Sequence, residues 1–147
     1  VGAVLGAGTV SCGIIADGFH VHPESLRIAL AAKRGPGRPY LVTDAMATIG
    51  SDIDHFVLNG RTVYRRGGRL TLENGTLAGA DIDMAATVRF AAANLGLDLG
   101  EVLRMASRYP AELIGDARRG RIGRGAAAEF VHLGDDLSVR EVIVARA

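Results

Sequence analysis

A histidine and an aspartate follow two short apolar runs in this sequence. Gly13-Ile14-Ile15-Ala16 leads through Asp17-Gly18-Phe19 to His20, and Tyr40-Leu41-Val42-Thr43 ends on Asp44. A carboxylate can take up a proton and deliver it elsewhere. An imidazole can donate a hydrogen bond to an oxygen and changes charge near neutral pH. Short all-apolar runs read as buried parallel strands, expected at residues 13–16 and 40–43. A helix is expected between them. Pro23 suits its first position, Glu24 the positive end of its dipole, and Gly35 the C′ position just past its end. Leu26, Ile28, Ala29, Leu30 and Ala31 give it apolar content. A strand–helix–strand unit implies a right-handed crossover and two parallel strands. Ligands of such sheets bind at the carboxyl ends of the strands, so His20 and Asp44 are expected to face one cleft.

The 147 residues are 48% hydrophobic and 22% charged, enough for one globular domain with a real core. A net charge of +1 gives no electrostatic case for a nucleic-acid partner. No apolar run approaches the ~20 residues that span a bilayer, so no membrane partner is expected. A charged segment followed by an apolar one, the mark of a signal peptide, is missing, and a cytoplasmic location is expected. One cysteine, Cys12, excludes an intrachain disulfide and is expected to be a small buried side chain. The chain opens at Val1 inside an apolar, small-residue run, which reads like the middle of a longer protein.

Residues 1–8 join that run to Gly6-x-Gly8, as a dinucleotide site would. The third glycine of that fingerprint should fall at Ser11, and Cys12-Gly13 interrupts any helix there. A glycine-rich connection is expected instead. Beyond Asp44 comes a loop with Met46 and Gly50, and then short strands with tight turns. Asn59-Gly60 separates residues 55–58 from 62–64 and predicts a type I′ hairpin turn, which needs positive φ at both positions. Gly67-Gly68 and Asn74-Gly75 mark two further turns, the last leading into Thr76-Leu77-Ala78-Gly79.

Helical spacing then returns. Asp81 or Asp83 can cap a helix through about Asn94, with Met84, Val88 and Ala91 on one face and Gly96 past its end. Asp98 can cap another, bearing Leu99, Val102, Leu103 and Ala106, ended by Tyr109-Pro110 and followed by a turn over 111–114. Met84 and Met105 read as core. Arg118, Arg119, Arg121 and Arg124 read as a solvated loop, and Asp135-Asp136 as a solvated turn. Strands are expected at 128–133 and 139–144.

Gly13-Ile14-Ile15-Ala16-Asp17-Gly18-Phe19-His20-Val21, followed by Leu41-Val42-Thr43-Asp44-Ala45, resembles the N-acetylglucosamine-6-phosphate deacetylases of the amidohydrolase superfamily. The resemblance continues through Asn74-Gly75-Thr76-Leu77-Ala78-Gly79, Val102-Leu103-Arg104-Met105-Ala106, Tyr109-Pro110-Ala111 and Gly120-x-Ile122-x-x-Gly125-x-x-Ala128-Glu129-Phe130. It implies an α/β fold: the C-terminal part of a (β/α)8 TIM-type barrel over residues 1–115, with a β-hairpin excursion at about 53–78. Residues 116–147 would then belong to a small β-sandwich domain.

The same resemblance makes Asp44 the catalytic aspartate on the last barrel strand. Asp17, Gly18, Phe19 and His20 match one substrate-holding segment, with His20 as a sugar-phosphate contact. Leu77, Ala78 and Gly79 match a second. Glycines at 18 and 79 let backbone approach a ligand closely. The implied cofactor is a divalent metal ion, zinc or similar. It lowers the pKa of a bound water toward ~7, and a carboxylate beside it can carry that proton to the leaving amine. The family's ligands, a Glu and two His, match nothing here and would lie upstream of Val1. His20-x-His22 mimics a ligand pair of the superfamily's first strand, but His22 falls at a helix start. The implied substrate is an amino-sugar phosphate and the implied assembly a homo-oligomer. Two alternatives remain, an inert folded fragment and a dinucleotide-binding module. A partial barrel would also leave a strand edge open beside residues 13–16 and expose Ile14, Ile15, Leu41 and Val42.

Overall fold

The computed structural model describes residues 1–145. The opening run forms a short helix, α1 (Gly2–Gly6). Strands β1 (Cys12–Ile15) and β2 (Pro39–Val42) run parallel, with Cys12 opposite Pro39 and Ile15 opposite Val42. Helix α2 (Pro23–Ala32) makes the crossover between them. Its start follows the sequence signals, and the cap is His22, whose Nδ1 accepts the Glu24 amide hydrogen at 3.2 Å. Its end does not. Extended Lys33 is the cap, and Gly35 has no positive φ. The segment is instead tied to the start of the chain, Arg34 N donating to Leu5 O and Gly37 N to Gly8 O.

Four strands then form an antiparallel sheet in sequence order: β3 (His55–Leu58), β4 (Arg61–Arg66), β5 (Arg69–Leu72) and β6 (Leu77–Ala80). The excursion thus ends at Ala80. Asn59 and Gly60 have φ of 49° and 75°, and Gly67 and Gly68 58° and 77°, as two-residue turns between right-twisted strands require. The third turn is longer. Leu72 pairs with Thr76 and only Gly75 is left-handed, at 83°. At the end of β6, Ala80 bridges Ala45 in parallel, and its amide donates to Asp44 O at 3.0 Å.

Helices α3 (Met84–Asn94), α4 (Leu99–Ala106) and α5 (Arg108–Leu113) cover the parallel pair. Asp83 caps α3 and Asp98 caps α4, each through side-chain bonds to backbone amides. The expected stop at Tyr109-Pro110 is corrected. The break falls at Ser107, and Pro110 sits in the first turn of α5, where its missing N–H costs nothing. Ile14 and Leu41, paired in register, are buried with Leu26, Val88, Ala91, Val102, Met105 and Tyr109. Two of the four residues expected to stay wet are therefore core, because the chain's own helices reach them. Ile15 and Val42 are half-buried, and so is Cys12, which was expected to be buried.

Strands β7 (Glu129–Leu133) and β8 (Val139–Val144) make a separate antiparallel hairpin. Arg89 holds it to α3 by donating to Leu137 O at 3.0 Å. Arg119 is more than a solvated charge. It forks onto Glu129 at 2.9 and 3.0 Å and donates to Asp116 at 2.9 Å. The Asp135-Asp136 turn is closed by Ser138, which donates to Asp136 Oδ1.

Candidate active site

The loop leaving β1 is built around one carboxylate. Ala16 is fully buried and ends the apolar run, and Asp17 follows with its side chain 3% exposed. Its Oδ1 accepts the amide hydrogens of Phe19 at 2.9 Å and His20 at 3.0 Å. Its Oδ2 lies 2.7 Å from His20 Nδ1, which donates to it, since an ionised carboxylate only accepts. Burial pushes the Asp17 pKa up. The bonds from the His20 amide, the His20 ring and the Phe19 amide outweigh that and hold it below the ordinary carboxylate value.

The other ring nitrogen, His20 Nε2, stands 3.6 Å from Asp44 Oδ2. Asp44 lies two residues past β2 with φ of 55°, a left-handed conformation that aspartate tolerates better than most residues. Its backbone is pinned by Ala80, and its side chain is 48% exposed. The strand ends thus bring a half-exposed carboxylate and an oriented imidazole to one place.

The remaining candidates are placed around this pair. Phe19 lies against the β4–β5 turn, with the Arg69 guanidinium 4.8 Å above its ring. Gly18 is left-handed at 78°, and a Cβ there would stand 2.8 Å from the Phe90 ring. Gly79 is buried beside Asp44. A Cβ there would lie 2.5 Å from Met46 Sδ and 3.3 Å from Asp44 O. The space both glycines leave is filled by this chain's own side chains. Leu77 and Ala78 lie farther along β6, three and two residues before the Ala80 bridge.

Three positioning residues escape sequence reasoning. Asp81, a candidate cap by spacing, instead accepts from Thr48 Oγ1 at 3.0 Å and from Arg65 Nε at 2.7 Å, while Arg65 Nη1 donates to Ser51 O at 2.9 Å. This network fastens the loop after Asp44 to the antiparallel sheet. The available signal was an arginine inside a strand and an acid outside any turn, too common to be read alone. A cavity of about 530 Å³ lies at the opposite end of β2, lined by Arg27, Lys33, Arg38 and Glu101 among others, and takes in neither His20 nor Asp44. Among the described residues no group of three or more His, Cys, Asp or Glu side chains is placed to hold a metal ion. No helix among them is long and apolar enough to cross a membrane.

The chain is similar over nearly its whole length to amino-sugar deacetylases. A protein of Shewanella sp. (strain ANA-3), named N-acetylgalactosamine-6-phosphate deacetylase, is 45% identical over 99% of this chain and 36% of its own length. One from Haemophilus influenzae, named N-acetylglucosamine-6-phosphate deacetylase, is 37% identical over 88% of this chain and 34% of its own. The chain therefore spans about a third of the length of these relatives. In three dimensions it superposes on the crystal structure of N-acetylglucosamine-6-phosphate deacetylase from Pasteurella multocida with a TM-score of 0.91. That match has 41% identity and covers 98% of this chain and 38% of the other. The α/β arrangement is thus a fragment of that fold. With the amidohydrolase family profile matching residues 4–145, nearly every element described above falls within the match, and the chain belongs to the amidohydrolase family.

Proposed function

We propose that the protein containing this chain is a metal-dependent deacetylase of N-acetylated hexosamine 6-phosphates, converting N-acetylglucosamine 6-phosphate and water to glucosamine 6-phosphate and acetate. The observation that carries this reading is the approach of His20 to Asp44 at the carboxyl ends of two parallel strands, in a chain of the amidohydrolase family. In this reading Asp44 takes the proton from the attacking water and returns it to the leaving nitrogen, so that the C–N bond breaks to an amine. His20 offers Nε2 to a substrate oxygen. Phe19 and Gly18 shape the loop that carries it, and residues 77–79 border the site from the sheet. A divalent ion, zinc or similar, belongs to the reading as the group that acidifies the water, with its ligands outside the described residues. Residues 1–115 are then part of a (β/α)8 barrel and 116–147 part of a small β-sandwich, in a cytoplasmic homo-oligomer.

A second substrate has its own support. The Shewanella relative, 45% identical, is named for the galactosamine isomer. The test is acetate release from both N-acetylhexosamine 6-phosphates by the full-length, zinc-loaded protein. Release from the glucosamine compound is expected. Release from the galactosamine compound alone would change the substrate, and release from neither would overturn the reading.

A further inference from the structure

We propose that Asp17 is a positioning residue for His20 rather than a substrate contact: it keeps a hydrogen on Nδ1 and presents Nε2 to the cleft beside Asp44. This rests on the amino-sugar-phosphate reading only for the identity of the ligand that Nε2 meets. The carboxylate is occupied. Three hydrogens reach its two oxygens, from the Phe19 amide, the His20 amide and the His20 ring, and its side chain is 3% exposed. One acceptor site remains, on Oδ2, and burial of the side chain leaves a sugar hydroxyl little approach to it. The same three bonds define what Asp17 does. One oxygen folds residues 17–20 into a turn, as aspartate side chains commonly do. The other sets the ring plane and fixes which nitrogen holds the hydrogen.

Among the described residues Nε2 has no hydrogen-bond partner. Its 3.6 Å separation from Asp44 Oδ2 is too long for a hydrogen bond, so it is free to meet a ligand atom. With Nδ1 committed, a neutral ring offers a lone pair at Nε2 and a cationic ring an N–H, and the atom facing the cleft is the same in both states. Asparagine at position 17 reverses this. Its Oδ1 can still accept both amides, but its NH2 group donates to Nδ1, so the neutral ring must carry its hydrogen on Nε2. The turn survives and the tautomer changes.

The experiment is nitrogen-15 NMR of the histidine rings in the full-length, zinc-loaded protein at about pH 8.5, above the ordinary histidine range. The His20 signals are those lost in His20→Gln. The wild type should hold a hydrogen on Nδ1, and Asp17→Asn should move it to Nε2. A bare Nδ1 in the wild type, or unchanged ring signals in Asp17→Asn, would overturn the proposal. Kinetics separate positioning from a general structural role. Asp17→Asn should shift KM for the phosphorylated substrate about tenfold, because the neutral ring then offers the ligand an N–H at Nε2 in place of a lone pair. It should add nothing when His20 is already glutamine. An equal penalty in both backgrounds would mean that Asp17 acts otherwise than through His20. If Asp17→Asn does not fold, the wild-type ring signals decide. If the protein releases no acetate, the functional reading fails while the ring signals still test Asp17.

Discussion

His20 Nε2 and Asp44 Oδ2 stand 3.6 Å apart although they are 24 positions apart in the chain. The relationship comes from the parallel register of β1 and β2, which ends both strands at the same level. The chain then runs on through the Asp17 turn to His20, and two residues past β2 to Asp44. The gap is too long for a hydrogen bond and short enough for one small ligand atom to touch both.

Asp44→Asn should keep the fold, because asparagine also tolerates the left-handed backbone that φ of 55° demands. As the proposed proton carrier, its loss should cut kcat by roughly 10²–10⁴ with the thermal midpoint near that of the wild type. Steady-state kinetics on the full-length enzyme measure this. Near-normal turnover would remove Asp44 from proton transfer. Asp44→Ala is the poorer variant, since it adds backbone strain to the lost carboxylate.

His20→Ala tests recognition. If Nε2 meets the phosphate, KM should rise more for the 6-phosphorylated substrate than for the free N-acetyl sugar, with kcat less affected. Comparing the two substrates on one enzyme preparation gives the answer. Equal changes would place the Nε2 contact elsewhere on the sugar.

Asp17 gives a pH dependence with a fixed sign. Its pKa is lower in the folded than in the unfolded chain, so folding releases its proton more readily. The stabilisation is complete above the ordinary carboxylate range and is lost as pH falls through the folded value. The difference in thermal midpoint between wild type and Asp17→Asn should therefore shrink as pH falls below about 5 and on through the lowered folded value. A difference that stays constant, or widens toward acid, would contradict the carboxylate's role in the loop.

Features set by local chemistry were legible in the sequence. Asn59-Gly60 reads as a hairpin because few other pairs accept two positive φ values, and the apolar runs at β1 and β2 read as buried strands. Asp83 and Asp98 read as caps because their partners lie two or three residues on. Features set by distant partners were not legible. Asp81 looks as good a cap as Asp83 by spacing, and its actual partners lie 16 and 33 residues away. Gly35 looks like a helix end, but ties between residues 34–37 and the first eight residues draw the chain out early. Helix α1 was missed because two of its five residues are glycine, which opposes helix formation. In the candidate site, the positions of His20 and Asp44 followed from the strand ends. The hydrogen bond that orients the His20 ring on Asp17 is a side-chain pairing that spacing alone does not show.

The Arg65–Asp81 pair should matter for the loop that follows Asp44. The Asp81 side chain is 8% exposed, so removing its cationic partner leaves a nearly buried carboxylate held mainly by Thr48. Arg65→Met should lower the urea midpoint, because a nearly buried carboxylate loses its charged donor. It should also lower activity, by loosening residues 44–51. Urea unfolding with parallel kinetics checks both. A fully active variant of unchanged stability would mean that the bridge to Asp44 rests on the Ala80 hydrogen bond alone.

A polypeptide of residues 1–147 alone should associate and should not deacetylate. Among the described residues β1 pairs only with β2, which leaves its outer edge with free N–H and C=O groups. Such an edge is a template for another chain. Burial of Ile14 and Leu41 under the helices removes part of the apolar exposure expected there, so the edge itself becomes the main cause of association. The β7–β8 hairpin adds a second surface, with Val131, Val142 and Val144 each more than half exposed. Light scattering after size exclusion should find dimers or larger species at micromolar concentration. Acetate release in the presence of zinc should stay at background, because the described residues supply no metal-ligand set. A stable monomer would mean that the open edge is tolerated, and zinc-stimulated deacetylation by the piece alone would mean that the catalytic machinery does not extend beyond it.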